Sequence, residues 1–310
     1  MRGDEGARRA LEIALAGGHH LLLVGPAGSG KTGLVRSLPG LLPPLSEEEV
    51  REVAAVYRRA GEARCEPTRP PIRMPHPAST ARGFLGSERR PGELDLAHRG
   101  VLVLENLPDF REESLRALRQ PLEEGAIRMA RPGERRARPS LVMLFATMRS
   151  CPCGGIGDQK HGCACTPLRL ARYRRRAAEP IGHLFDLQCE MGIAHSSSTE
   201  TAAAVKARVL DARALARERF GGAGPRGNAA MTAEDLRRFC PLDPAGRALE
   251  EAAREKLGLL PGLFSRVLRV ARTIADLNRS ETLRPAHLTE ALGYRCGAAS
   301  RGAATTASGS

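Results

Sequence analysis

Tryptophan is absent from this chain of 310 residues, and Tyr and Phe bring the aromatic share to only 3%. With a hydrophobic share of 42%, a core so poor in rings must be filled by Leu, Val, Ile and Ala, which suits helices packed on an aliphatic sheet. The same scarcity argues against base stacking as the main mode of any nucleic-acid contact. No run of 18 apolar residues occurs, and no charged, apolar and small-residue succession marks a secretory leader. The expectation is a soluble, cytoplasmic protein with no membrane partner. Acidic charge is also in short supply: 35 Asp and Glu stand against 48 Lys and Arg, giving +13 overall and a pI near 10.1. That balance favours a polyanionic partner, DNA or RNA first, although an Arg-rich composition alone gives the same numbers. Eight cysteines in such a chain point to reduced thiols or metal ligands rather than disulfides.

What is present begins with Gly25-Pro26-Ala27-Gly28-Ser29-Gly30-Lys31-Thr32, a G-x-x-x-x-G-K-[ST] run. The apolar stretch His20 to Val24 leads in and the helix-compatible stretch Lys31 to Leu38 leads out. Strand, loop and helix in that order bring backbone N–H groups and a helix N-terminus onto phosphate oxygens. Lys31 is expected to neutralise the β- and γ-phosphates of ATP, and the Thr32 hydroxyl to ligate Mg²⁺. The glycines are expected where a Cβ would obstruct close approach of backbone to phosphate.

Along the chain, Ala7, Ala10, Leu11, Ala14 and Leu15 fall on one helical face that Gly17-Gly18 terminates. Ser46 and Glu49 have the spacing of a capping box, opening a helix to about Arg59. Residues 61–98 are rich in Pro, Arg and Gly and read as loop with short hairpins. Val101 to Leu104 reads as a buried strand ending in Glu105-Asn106, and Leu141 to Ala146 as another, ending in Thr147-Met148-Arg149. A helix is expected from about Arg111 to Glu124, then a basic hairpin over Ile127 to Ser140 carrying Arg128, Arg131, Arg135, Arg136 and Arg138. Cys151, Cys153, Cys163 and Cys165 flank a nine-residue loop and could give four thiolates to a tetrahedral Zn²⁺, with His161 as a spare ligand; free reduced cysteines are the other reading. Cys65, Cys189, Cys240 and Cys296 are scattered. Arg169 to Arg176 forms a basic, helix-like stretch, and from about 204 the pattern is helical, with Leu263, Val267, Val270, Ile274 and Leu277 as one apolar stripe. The organisation expected is a nucleotide-binding core over 1–192 with its four-cysteine loop at 151–165, a linker over 193–203, a helical lid over 204–296 and a disordered tail over 297–310.

Taken in order, GGHHLLLVGPAGSGKT, RPGELDLAHRGVLVLENLPDF, LRALRQPLEEG, CPCGGIGD and LRVARTIADL resemble the magnesium-chelatase-like AAA+ ATPases, specifically the ComM/YifB competence-protein group. The resemblance runs from about Arg2 to Tyr294. It implies an α/β fold: an AAA+ P-loop αβα core with a parallel sheet, followed by a small all-α lid, assembled into hexameric rings with ATP·Mg²⁺ between subunits. Relatives of this type drive branch migration of DNA, and a hairpin placed like Arg128 to Arg138 lines the ring's pore; for any single arginine a solvated charged face is the alternative. The resemblance implies a Lon-protease-like domain ahead of the ATPase, and the expectation is that this chain starts at the ATPase boundary.

The resemblance also marks four departures. Glu105-Asn106 stands where the family has Asp-Glu, so Glu105 would reach Mg²⁺ through water while Asn106 cannot take a proton from the attacking water. Arg149 replaces the sensor Asn, Leu184 the arginine finger and Gly262 the lid arginine. The expectation is a nucleotide-binding, DNA-associated protein with weak or absent hydrolysis. Three alternatives stand beside it: a non-catalytic partner subunit of an active ring, an active branch-migration ATPase in which Arg172, Arg174 or Arg266 substitutes, and a magnesium-chelatase-type motor. A truncated, decaying gene product would also account for the departures.

Overall fold

The structure, a computed structural model, describes residues 4–62, 68–131, 134–157, 162–192, 200–221 and 227–295. The chain opens with α1 (Glu5–Gly17), β1 (Leu21–Val24), α2 (Lys31–Leu41) and α3 (Glu47–Ala60). Then come β2 (Ile72–Arg73), α4 (Ala81–Leu85), α5 (Glu93–Leu96), β3 (Val101–Leu104) and α6 (Glu112–Glu124). The hairpin β4 (Ala126–Arg131) and β5 (Glu134–Pro139) leads to β6 (Met143–Met148), α7 (Pro167–Ile181) and β7 (Leu187–Glu190). Five helices close the described chain: α8 (Ala202–Arg219), α9 (Ala233–Phe239), α10 (Pro244–Leu257), α11 (Pro261–Leu277) and α12 (Pro285–Gly293). Five strands form a parallel sheet in the order β2-β3-β6-β1-β7, and β4 and β5 form a separate antiparallel pair.

The chain divides into two compact units, residues 22–185 and residues 1–21 with 186–310. In the first, Val101 pairs with Met143 and Leu104 with Ala146, so β3 and β6 lie in register at the sheet's centre. All four residues of β3 and all six of β6 are buried, as unbroken apolar runs covered on both faces should be. Leu102, Leu104, Leu115, Leu118, Leu144 and Phe185 belong to one core cluster there. In the second unit, α1 packs against α8 and α11. Val267, Val270 and Ile274 of the α11 stripe are buried, with Leu263 and Leu277 half-buried at its ends.

Local chemistry fixes the helix ends. Asp4 accepts from Ala7 N at 3.1 Å to start α1, and Gly18, in the left-handed region, ends it. Ser46 and Glu49 form the expected capping box: Glu49 Oε2 accepts from Ser46 N at 2.9 Å, and Ser46 Oγ from Glu49 N at 3.3 Å.

The segment over 61–98 corrects the sequence reading. Its described part holds β2 and the short helices α4 and α5 rather than hairpins. The cause is tertiary: Asp95, 1% exposed, accepts from Gly92 N at 3.0 Å and pairs with Arg59 and Arg138 at 3.1 Å each. The strand expected over Leu141 to Ala146 begins two residues later. Leu141 is 45% exposed, and Met143 is the residue that takes Val101 as partner. The strand β7 has no counterpart in the sequence reading; Asp186 and Leu187 donate to His20 O at 3.0 and 3.1 Å and seat it. Residues 193–199 of the expected linker and the tail after 295 lie outside the described residues. Among those described, no helix is long and apolar enough to cross a membrane.

Candidate nucleotide site and cysteine cluster

The glycine-rich run is a tight loop between β1 and α2. Gly28 and Gly30 have φ of 78° and 95°, a region an L side chain adopts only under strain. A Cβ on Gly28 would meet nothing within 4 Å, so at this position the requirement is conformational rather than a matter of space. No side chain caps α2 at Gly30, and the helix N-terminus opens onto the loop with its first N–H groups and positive dipole end. Lys31 Nζ donates to Gly25 O and Pro26 O at 2.7 Å each and to Ser29 Oγ at 3.0 Å. Burial and repulsion from Arg149 push its ammonium down to about 8. Thr32 lies exposed one residue along.

At the neighbouring strand ends, Glu105 is half-buried just past β3, and Asn106 sits at φ 57° and ψ 60°. Asn106 N donates to Thr147 Oγ1 at 3.1 Å, tying the end of β3 to β6. Its side-chain amide is engaged on both atoms. Nδ2 donates to Asp109 Oδ2, and Oδ1 accepts from the Tyr173 hydroxyl at 3.4 Å. Tyr173 in turn accepts from Arg149 N at 3.2 Å, and burial pushes its phenol up to about 12, keeping it a neutral donor. Asn106, Arg149, Tyr173 and Asp109 thus form one polar cluster beside the loop that holds Lys31. Sequence reasoning missed Tyr173 and Asp109. Asp109 lies three residues past Asn106 and was open to notice, whereas Tyr173 reaches Asn106 only through the fold.

Leu184 and Gly262 are the other two positions where the resemblance leads one to expect arginines. Leu184 is 1% exposed in the core of the first unit, and Gly262 lies exposed in the first turn of α11. Of the substitute arginines, Arg266 pairs with Asp186 at 3.0 Å. Burial opposes ionisation of Asp186, but His19, His20 and Arg266 hold its carboxyl well below the usual range. Arg172 is exposed and Arg174 half-buried on α7.

The cysteines converge. The sulfurs of Cys151, Cys153, Cys163 and Cys165 all lie within 4.8 Å of one another. Cys151–Cys153, Cys153–Cys163 and Cys163–Cys151 are separated by 3.4, 3.6 and 3.6 Å, close to the ~3.8 Å edge of a tetrahedron with metal–sulfur bonds of ~2.3 Å. Backbone N–H groups of Gly155, Ile156 and Cys165 donate to the sulfurs of Cys153, Cys151 and Cys163 at 3.5, 3.3 and 3.4 Å. The donor set fits a soft tetrahedral ion such as Zn²⁺. Cys189 and Cys240 are buried. His161, Cys65 and Cys296 lie outside the described residues.

The basic segments divide. Arg138 donates to Ser87 O and Leu85 O at 2.6 Å each besides pairing with Asp95, so it braces α5 rather than facing solvent. Arg128 is exposed and pairs with Glu124 at 2.5 Å; the side chains of Arg131, Arg135 and Arg136 lie outside the described residues. On α7, Arg169, Arg172, Arg175 and Arg176 are exposed.

A buried parallel strand, a glycine loop closed by Lys31 and a helix with an uncapped N-terminus define a P-loop fold. The model for the magnesium chelatase ChlI subunit matches residues 1–200 and that for the ChlI C-terminal region matches 199–295; the chain belongs to this family. Over 304 residues it is 38% identical to the uncharacterized protein YifB of Escherichia coli, covering 94% of this chain and 59% of YifB. It is 36% identical to the competence protein ComM of Haemophilus influenzae, covering 94% of this chain and 58% of ComM. The chain thus spans well under two thirds of these relatives' length.

Proposed function

We propose that this chain is an AAA+ nucleotide-binding module that takes up ATP·Mg²⁺, associates with DNA and hydrolyses ATP weakly or not at all. The observation carrying this reading is the pairing of an intact phosphate loop with an amide at the position of the general base. Gly25 to Gly30 and the first N–H groups of α2 would hold the phosphates. Lys31 would exchange its three loop contacts for phosphate oxygens, and Thr32 with Glu105 would hold Mg²⁺. Asn106 cannot accept the proton of an attacking water. A missing base costs about 10²–10⁴-fold, and a missing arginine finger about 10³–10⁵-fold. The family likeness supports assembly into a homo- or hetero-oligomeric ring, and a non-catalytic role within an active ring follows from the same chemistry.

Calorimetric titration of the full chain with ATP and Mg²⁺, alongside steady-state phosphate release, tests this. Binding without turnover is expected, with Lys31→Ala abolishing binding and Asn106→Glu raising turnover. Robust turnover by the unaltered chain, lost in Lys31→Ala, would overturn weak hydrolysis. A second reading rests on Asp109. Its carboxylate, hydrogen-bonded to Asn106, could take the water's proton instead, and then Asp109→Asn would abolish the turnover seen.

A further inference from the structure

The cysteine cluster and the phosphate loop are neighbours through backbone. Gly25 N donates to Met148 O at 3.1 Å, and the chain reaches Cys151 three residues later. The turns after the first cysteine pair carry Gly154 and Gly157 in the left-handed region, at φ of 80° and 85°. A Cβ built on Gly154 would stand 3.8 Å from Ala27 Cβ, 4.0 Å from Ala27 N and 3.9 Å from Arg149 Cδ. One built on Gly157 would stand 3.5 Å from Pro26 Cγ and 3.6 Å from Pro26 Cδ. The second and third residues of the phosphate loop therefore lie against the cysteine loop. Its two cysteine pairs are themselves in backbone contact, since a Cβ on Gly155 would fall 2.7 Å from Gly162 O.

Among its described residues, Cys151 is the one buried apolar side chain of this support. Cys153 and Cys163 are exposed, and Gly154 and Gly155 carry no side chain to pack. A shared ion would gather four sulfurs at these separations, and the free energy of binding it would be the folding free energy of the loop. Four thiolates on Zn²⁺ would carry two net negative charges, and Arg149, which touches the same turn and acts on Lys31, would counter them locally.

We propose that the four-cysteine loop is a metal-dependent brace for the phosphate loop: with Zn²⁺ bound it fixes Pro26 and Ala27, and without it the anion cradle loosens and nucleotide affinity drops. This rests on the reading of the glycine loop as the nucleotide site. The brace acts by pre-organisation, lowering the ordering cost of binding rather than touching nucleotide.

The test uses the full chain loaded with Zn²⁺ and the same protein stripped by a zinc-selective chelator, with Mg²⁺ held constant and zinc content measured. Hydrogen–deuterium exchange over residues 22–34 and titration with a fluorescent adenine nucleotide are the two readouts. Zinc removal is expected to speed exchange in 22–34 while leaving 101–104 protected, and to weaken nucleotide binding about tenfold or more. Re-addition of zinc should restore both, and Cys163→Ser/Cys165→Ser should match the stripped protein. Should that variant not fold, chelation alone decides. Unchanged exchange in 22–34 after verified removal, or failure of the chain to take up zinc, would overturn the proposal. Zinc-dependent exchange without nucleotide uptake by the loaded protein would remove the nucleotide reading and leave the brace standing.

Discussion

Lys31 donates to two carbonyls and a hydroxyl of its own loop, so a triphosphate must offer more than those three acceptors do, and its charge is the reason it can. That charge is sensitive to pH because burial and Arg149 bring the ammonium down to about 8. The sign follows from linkage. A bound polyanion raises the lysine's pKa, so below about 8 no proton is taken up on binding and affinity is flat; above it each bound nucleotide must recruit a proton, and affinity falls about tenfold per pH unit. Titrations from pH 6.5 to about 9.5 should show that break, and Arg149→Ala should move it upward by removing the repulsion. A profile flat to the top of the range would mean Lys31 is not at the phosphates. At the same scale, Asn106→Glu places a carboxylate where Tyr173 now donates to an amide. Any gain in turnover should therefore be larger in Asn106→Glu/Tyr173→Phe, which frees the new group to accept from water.

Among the elements, α3 shows how directly short-range signals translate into structure. Ser46 and Glu49 satisfy each other's backbone N–H, and Ser46→Ala is expected to cost about 1 kcal/mol, read as a lowered denaturant midpoint with unchanged slope. The phosphate loop, the Gly18 helix end, the buried runs of β3 and β6 and the α11 stripe were legible in the same way, because each is specified by residues close in sequence. The one-turn α5 was not. Its four residues cannot sustain a helix alone, and the Asp95 ion pairs that hold it come from Arg59 and Arg138, far along the chain. The cysteine spacing announced a cluster, but the turns at Gly154 and Gly157 that lay it against Pro26 and Ala27 carry no separable sequence signal. For the same reason Arg138 read as one more surface cation of a basic hairpin, until its bonds to Leu85 O and Ser87 O placed it in a scaffold.

For the whole molecule, the +13 charge is a statement about partners only where it is exposed and not already paired. Buried cations serve the fold instead. In the unit built from 1–21 and 186–310, Arg272 is 2% exposed and shares Asp276 with Arg219 and Asn228. Asp276→Ala would leave that guanidinium, still bonded to Ser280 O and Glu281 O, without its carboxylate at a cost of up to about 3–5 kcal/mol, visible as a lowered denaturant midpoint. Among the exposed arginines of α7, Arg175 pairs with Glu179 at 3.4 Å, whereas Arg172 and Arg176, four residues apart, lie on one face of that helix and are charges a polyanion could use. If DNA lies along them, each phosphate they neutralise releases condensed counterion, contributing about 0.9 to the slope of log affinity against log salt on duplex. Arg172→Ala/Arg176→Ala should then lower that slope by roughly 2 and weaken binding evenly across unrelated sequences. Fluorescence anisotropy at several salt concentrations measures both quantities. A slope equal to that of the unaltered chain would move the DNA contact off α7, leaving Arg128 and the rest of the hairpin as the surface to examine, and a slope near zero in both proteins would mean the excess charge is a solvated face with no nucleic acid upon it.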